Sequence, residues 1–362
     1  MNRWSPFCVG FIAAALVCAA HVYVVQAQSS SLPRNITEST RELSNEQMAE
    51  VAAFVDTWVK ALEQEDSLKS VQNARRALAN SQNLSPGGSF SPYFRRAYSD
   101  ILTPRLAQLI SGTNARAAVD AIMIASRIGT DRALDLVIEQ IESSDARLRT
   151  AAAGRAILAV QDVPANRSMI SPSSLATLAR KVKSAAQAET SPYALQRQVE
   201  LLDAIHLTAE LGGGTLANVL SDVHKGRLDV LGARAERLKA ADADALIMMI
   251  GSLRRSYQAD GVDAKRLEGP ILARHLNAVL TSASEHWDVL ENDDAAWDSF
   301  KRLIADTESM LIFIDTSIAA ASTTPQTRLP DHWDRRDKPQ FQRERELWTE
   351  HLKLDPYRVN QR

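Results

Sequence analysis

The chain carries two cysteines, Cys8 and Cys18, and none beyond residue 18. That absence excludes a disulfide framework, a thiolate nucleophile and a cysteine-bound metal from everything downstream. A basic excess is missing too. With 42 Lys and Arg against 44 Asp and Glu, the chain has no surplus to neutralise several phosphates, and no nucleic-acid partner is expected. Glycine and proline are too scarce, at 14 and 13, for a collagen-like or low-complexity design. No alternating apolar and polar run of useful length occurs, and no Asn-Gly or Asp-Gly is flanked by strand-like segments, so hairpins are not expected. Among nucleophile motifs the Gly-x-Ser-x-Gly elbow is lacking. Gly212-Gly213-Gly214 lacks the Gly-Lys-Ser/Thr ending and preceding strand of a phosphate cradle, and reads as a helix stop.

What is present begins with an address. Arg3 precedes an apolar run from Phe7 to Val25, interrupted only by His21, that closes on Val25-Gln26-Ala27. Small residues at that exit, followed by the polar Gln28-Ser29-Ser30-Ser31, predict a signal peptide over 1–27 with cleavage before Gln28. The alternative is an uncleaved anchor, and membrane contact is expected only in that case. Val17 ahead of Cys18 does not suit a lipoprotein signal. The expected location is therefore exported, periplasmic or secreted, and a cysteine-free exported chain fits a bacterial envelope. At 45% hydrophobic residues, the remainder can bury a sizeable core without disulfides.

After a polar stretch over 28–43, read as a flexible lead-in, helix signals follow one another. Ser44 with Gln47 forms a capping box ahead of Met48, Val51, Ala52, Val55, Val59 and Leu62 at helical spacing. Ser91-Pro92 opens another helix, which Pro104 is expected to restart. Asn114, Thr130 and Asp145 each occupy an N-cap position. Further helices are expected near 172–189, 191–211, 215–224, 228–240, 242–258, 264–283, 295–321 and 340–354. The fold class is all-α: antiparallel helix pairs stacked as an irregular HEAT-like α-solenoid or helical bundle over 44–324.

Residues 110–129 and 141–160 repeat at an offset that places Ile110 on Ile141, Asn114 on Asp145, Arg116 on Arg147, Ala121 on Ala152 and Ala125 on Ala156. Alanines at that spacing let stacked helix pairs approach closely. Leu134, Val137, Ile138 and Ile141, then Ser144-Asp145-Ala146-Arg147-Leu148-Arg149 and Ala151-Ala152-Ala153, resemble the HEAT-like repeat of the phycobilin-lyase type. That resemblance covers about residues 101–160. It implies an antiparallel helix pair with Asp145 at the turn between units and Arg149 a few residues on. Ala118 replaces the arginine in the preceding unit. The family includes many proteins that bind other proteins and are not enzymes, and no lyase activity carries over to this chain.

Candidate chemistry is sparse. His206 and Glu210, four apart on one helix face, with His224 beyond the triglycine, offer two imidazoles and a carboxylate to a metal. The spacing is not that of a zincin, and a partly buried histidine among Leu202, Ile205 and Leu207 is the simpler reading. Glu285, Asp288, Glu291, Asp293, Asp294 and Asp298, with His286, Trp287 and Trp297, form an acidic cluster over 285–298. It lacks the glycine of a calcium loop, and Asp293-Asp294 suit a helix N-terminus. Arg75-Arg76, Arg95-Arg96 and Arg254-Arg255 are scattered among acids and read as solvated faces. The segment 325–362 is a Pro-, Trp- and charge-rich arm, expected to be extended from Pro330 to Pro339 and helical over 340–354. Its Trp333, Phe341, Trp348 and Tyr357 serve either to cap the stack or to dock a partner. The expected function is a non-enzymatic exported scaffold that binds another, unidentified protein, with no cofactor. The alternative is an envelope metal-dependent hydrolase using His206, Glu210 and His224 or the acidic cluster.

Overall fold

The computed structural model describes residues 31–64, 67–80, 91–164, 168–318 and 324–357. The expected signal peptide over 1–27 lies outside these. Among the described residues there is no strand, only one isolated bridge between Thr130 and Met169, and no helix is long and apolar enough to cross a membrane. The helices are α1 (Arg34–Thr37), α2 (Asn45–Gln64), α3 (Leu68–Asn80), α4 (Pro92–Ser111), α5 (Ala115–Ile128), α6 (Asp131–Gln140), α7 (Ala146–Gln161), α8 (Pro172–Ala188) and α9 (Pro192–Gly212). After a 3-10 turn at Gly213–Leu216 come α10 (Ala217–Ala235), α11 (Ala243–Ala259), α12 (Val262–Glu285), α13 (Trp287–Leu290), α14 (Asp294–Ile318), α15 (Leu329–Asp334) and α16 (Lys338–His351).

The caps that delimit these helices are the ones written in the sequence. Ser44 and Gln47 exchange reciprocal hydrogen bonds, Ser44 N donating to Gln47 Oε1 at 3.0 Å and Gln47 N to Ser44 Oγ at 3.3 Å. Asn114 accepts from the N–H groups of Arg116 and Ala117, Thr130 from Ala133, and Asp145 from Arg147. Gly129, at φ 66°, ends α5 in the left-handed region where a side chain would be strained.

Alternate helices lie side by side in two rows. One row runs α3, α5, α7, α9, α11, α14; the other runs α2, α4, α6, α8, α10, α12, α16. Successive helices cross between the rows and bury their apolar stripes in a continuous core, so the pairs stack from one end of the chain to the other. The alanine-rich faces do what their size permits. Ala152, Ala153, Ala156 and Ala159 of α7 are buried in the close seam it shares with α5 and α9.

Several local expectations are corrected. The lead-in over 28–43 is anchored from Leu32 onward: α1 buries Ile36 and Thr37 against α4, because even one apolar turn gains by covering the end of a core. Pro104 does not restart α4, which continues through it with Leu102, Leu106 and Leu109 buried; packing overrides the local break. The segments 215–224 and 228–240 are one helix, α10. Gly226 does not interrupt it but lies against the Lys183 stem of α8. Pro330 and Pro339 both stand in the first turn of a helix, where a missing N–H costs nothing, so the arm is helical where extension was expected.

A close approach at Gly269 gives a stability test. A Cβ there would meet the Tyr257 hydroxyl at 2.9 Å, Ile318 at 3.0 Å and Ile314 at 3.2 Å. Gly269→Ala should therefore lose about 1–3 kcal/mol through overpacking, despite a helix-propensity gain of about 1 kcal/mol. A denaturant midpoint equal to or above that of the parent would show that the seam can open freely.

Candidate functional site

Helix α9 carries two stripes. Leu195, Val199, Leu202, Ile205 and Ala209 turn into the core. Arg197, Glu200, Asp203, His206 and Glu210 recur every three or four residues on another side and reach the surface between the neighbouring helices of the row. With Gly154, Ile157 and Gln161 of α7 on one wall and Ser252, Arg255, Ser256 and Ala259 of α11 on the other, they line an open groove of about 750 Å³.

The groove floor is polar, buried and incompletely paired. Arg227 rises beneath it from α10 and is 1% exposed. One guanidinium nitrogen, Nη2, donates to Ser256 Oγ at 3.0 Å. Its Nε stands 3.5 Å from Asp203 Oδ1 and makes no hydrogen bond. Ser252 Oγ donates to the same Asp203 oxygen at 2.5 Å. Burial raises the Asp203 carboxyl against the pull of Arg227, and burial lowers the Arg227 guanidinium. Desolvation thus opposes the charged form of both partners, while each is drawn back toward it by the other's charge.

His206 lies beside this pair with its side chain 8% exposed. Glu210 Oε1, one turn on, is 3.6 Å from its Nδ1, beyond hydrogen-bond reach. Burial, with the charges of Arg227 and His224, pushes His206 down to about 3. The His224 ring lies 5.9 Å from that of His206, but its Nε2 is engaged 2.6 Å from Glu268 Oε2 of α12. The structure therefore brings His206 and Glu210 to one groove and places His224 in the other row. Among the described residues no three His, Cys, Asp or Glu side chains are grouped to hold a metal ion.

No family model matches the chain. No curated protein matches it either. Among solved structures the chain is similar to an engineered protein determined by a structural-genomics consortium, at 15% identity over 86% of this chain and 81% of that one. The TM-score of 0.31 is too low for the likeness to carry any argument.

The other sequence-derived candidates are structural. In the acidic cluster, Asp293 Oδ1 accepts from the Ala296 N–H at 3.1 Å and caps α14. Asp294 and Asp288 pair at the surface with Arg336 and Lys338 of the arm. Asp288, Asp293 and Asp294 thus each meet a different partner, and no three acids of the cluster over 285–298 are grouped to hold a metal ion among the described residues. Trp287 and Trp297 are buried. The partner-docking reading of Trp333, Phe341, Trp348 and Tyr357 is likewise corrected: all four are at most 2% exposed and serve as the arm's own core. Trp333 stacks on Trp297 at 4.0 Å between centroids, and its Nε1 donates to the Trp297 carbonyl at 3.1 Å. Tyr357 OH and His351 Nε2 both reach Asp315 Oδ1, at 2.7 and 2.6 Å, fastening the arm to α14.

Sequence reasoning missed Asp203, Arg227, Ser252 and Ser256. The available signal was the run of polar positions from Arg197 to Glu210 at helical spacing inside an otherwise apolar helix. Arg227, from a helix that sequence reading broke in two, gave none.

The His206 burial has a pH signature. Its folded value is depressed below the unfolded 6.5, so unfolding takes up a proton between those limits. The stability it contributes is complete above pH 6.5 and is lost as pH falls toward 3. Between pH 6.5 and 4.5 the parent should lose up to about 1.4 kcal/mol per pH unit more than His206→Gln. Parallel pH profiles for the two proteins, measured by urea unfolding, would show that His206 is solvated.

Proposed function

We propose that the chain is an exported, non-enzymatic helical-repeat protein of HEAT-like type that binds a segment of another protein along the groove between α7 and α11. The supporting observation is the groove floor. His206, buried and without a hydrogen bond, lines an open cleft of ligand-binding size together with Asp203 and Ser256, which rest on the buried Arg227. Leu207, 55% exposed, adds apolar surface at its edge. Rigid stacked pairs support such recognition by shape and charge, with no cofactor.

The test is site-specific photo-crosslinking of the full chain in its native envelope. A crosslinker at Leu207 is expected to capture a reproducible partner that the same group at Leu68, equally exposed on α3, does not capture. Equal capture from both positions, or none from either, would overturn the proposal. The alternative, a metal-dependent hydrolase, would be favoured by stoichiometric zinc in the purified chain.

A further inference from the structure

The row that runs from α3 to α14 is divided by charge. α3 carries Lys69, Arg75 and Arg76, and α5 carries Arg116 and Arg127. α7 adds Arg147, Arg149 and Arg155. The only acid in these three helices is Asp120, buried and 3.3 Å from Arg75. Asp100, Asp131, Asp135 and Glu139, which separate the cations along the chain, fold into α4 and α6 of the other row. Further along the first row the balance reverses: α9, α11 and α14 together hold nine acids and five cations. Arg147 and Arg149 are engaged by Asp145 and Glu189. Arg76, Arg116 and Arg155 are exposed, and their guanidinium groups meet no hydrogen-bond or ion-pair partner among the described residues. The Arg75–Asp120 pair sets α3 beside α5, and the repeat sets Arg116 level with Arg147. The three arginines thus share one outward face around the half-buried Met123, whose sulfur is 3.7 Å from Arg75 Nη2.

We infer that the face formed by α3, α5 and α7 docks an extended acidic segment of a partner protein, whose carboxylates meet Arg76, Arg116 and Arg155. This surface is separate from the groove, which opens on the other side of α7 at Gly154 and Ile157. Packed helices stand about 8–10 Å apart, and an extended chain advances about 3.3 Å per residue. Acids three residues apart therefore reach successive helices. Guanidinium matches a carboxylate in charge and in hydrogen-bond geometry, and no carboxylate on the face competes for these three. α3, α5 and α7 contain no Phe, Trp, Tyr or His, so they offer no platform for stacked bases. No large apolar side chain of α5 or α7 is exposed, so neither helix has an apolar face to bury in a bilayer. An acidic polypeptide is the polyanion that this face fits.

The experiment titrates the full chain in dilute salt with a fluorescent dodecapeptide that bears Glu at every third position between Ser and Gly, and with its Gln counterpart. The Glu peptide is expected to bind, and to weaken as salt rises and screens exposed charges; the Gln peptide is not. Combining Arg76→Glu, Arg116→Glu and Arg155→Glu should weaken the Glu peptide by at least about tenfold. Combining Arg180→Glu, Arg237→Glu and Arg266→Glu, at exposed positions outside the face, alters net charge equally and should change binding by less than about threefold. Should the first triple lower the thermal midpoint, the same three positions changed to Gln keep helix propensity and should still weaken the peptide by about fivefold. Equal binding of the Glu and Gln peptides, equal losses in the two Glu triples, or no binding of either peptide would overturn the proposal. Tighter binding of single-stranded DNA or of phosphatidylglycerol vesicles would overturn it by giving the face to another class of partner. A salt-dependent dimer in sedimentation that the first triple abolishes would give it to a second copy instead. Capture from Leu207 reads the groove alone, so the two readings fail separately.

Discussion

Trp333→Ala is expected to destabilise the chain by about 3–5 kcal/mol and to release the arm before the rest of the stack. Trp333 is fully buried and joins three elements. Its ring stacks on Trp297 and lies 4.5 Å from Trp287 and 5.4 Å from Phe341, with Phe300 at 6.0 Å. Truncation removes the centre of this cluster and leaves the Trp297 carbonyl without its indole donor. The cavity opens between α14 and the arm, whereas α2 to α11 keep their own contacts. Urea unfolding followed by tryptophan fluorescence should show an early transition that carries only a small part of the circular-dichroism change, that of the two arm helices. Proteolysis should cut near Thr324 at a denaturant concentration the parent withstands. A single coincident transition with a loss under about 1 kcal/mol would mean the arm is held from elsewhere.

Glu189→Ala should cost a similar amount, about 3–5 kcal/mol, by stranding a partly buried guanidinium. The Glu189 side chain is 1% exposed in the turn between α8 and α9. It accepts from Arg149 Nε at 2.8 Å and Nη2 at 2.6 Å, from Gln198 at 2.9 Å, and from the N–H groups of Thr190 and Ser191 at 2.9 and 2.8 Å. Burial pushes this carboxyl up, but Arg149 and the two N–H groups prevail and hold it below the usual range. The contrast with Asp203 is instructive: five donors compensate the Glu189 carboxylate, whereas Asp203 accepts from Ser252 alone, with Arg227 Nε 3.5 Å away. Replacing Arg149 and Glu189 together by Met and Leu should recover most of the loss, because no charge is then left unpaired. A double variant as unstable as Glu189→Ala would place the effect in the turn backbone.

The helices were legible because caps and periodicity are local. Ser44, Ser91, Asn114, Thr130 and Asp145 bond to N–H groups two or three residues away, which a sequence displays directly. Arg149 was legible as a contact between units, but its partner was not, since Glu189 lies forty residues on. The same distance hid the groove. Asp203, Arg227 and Ser252 stand on three helices, and only the row order brings them together. The arm's aromatics misled as docking residues because Trp and Phe suit an interface and a core equally. What decides is whether the chain's own helices cover them, and Trp297 and Trp287 do.

The folded-back arm also makes the stack unequal at its two ends. α16 lies along α12, and α15 closes over α14, so the last pair of the series is already roofed by aromatic rings. A further repeat could be spliced in between existing pairs, where one seam resembles the next. It could not be appended after α14 without evicting the roof. The arm is thus a terminator in the architectural sense, closing the α12 and α14 end of the series with the chain's own aromatic rings.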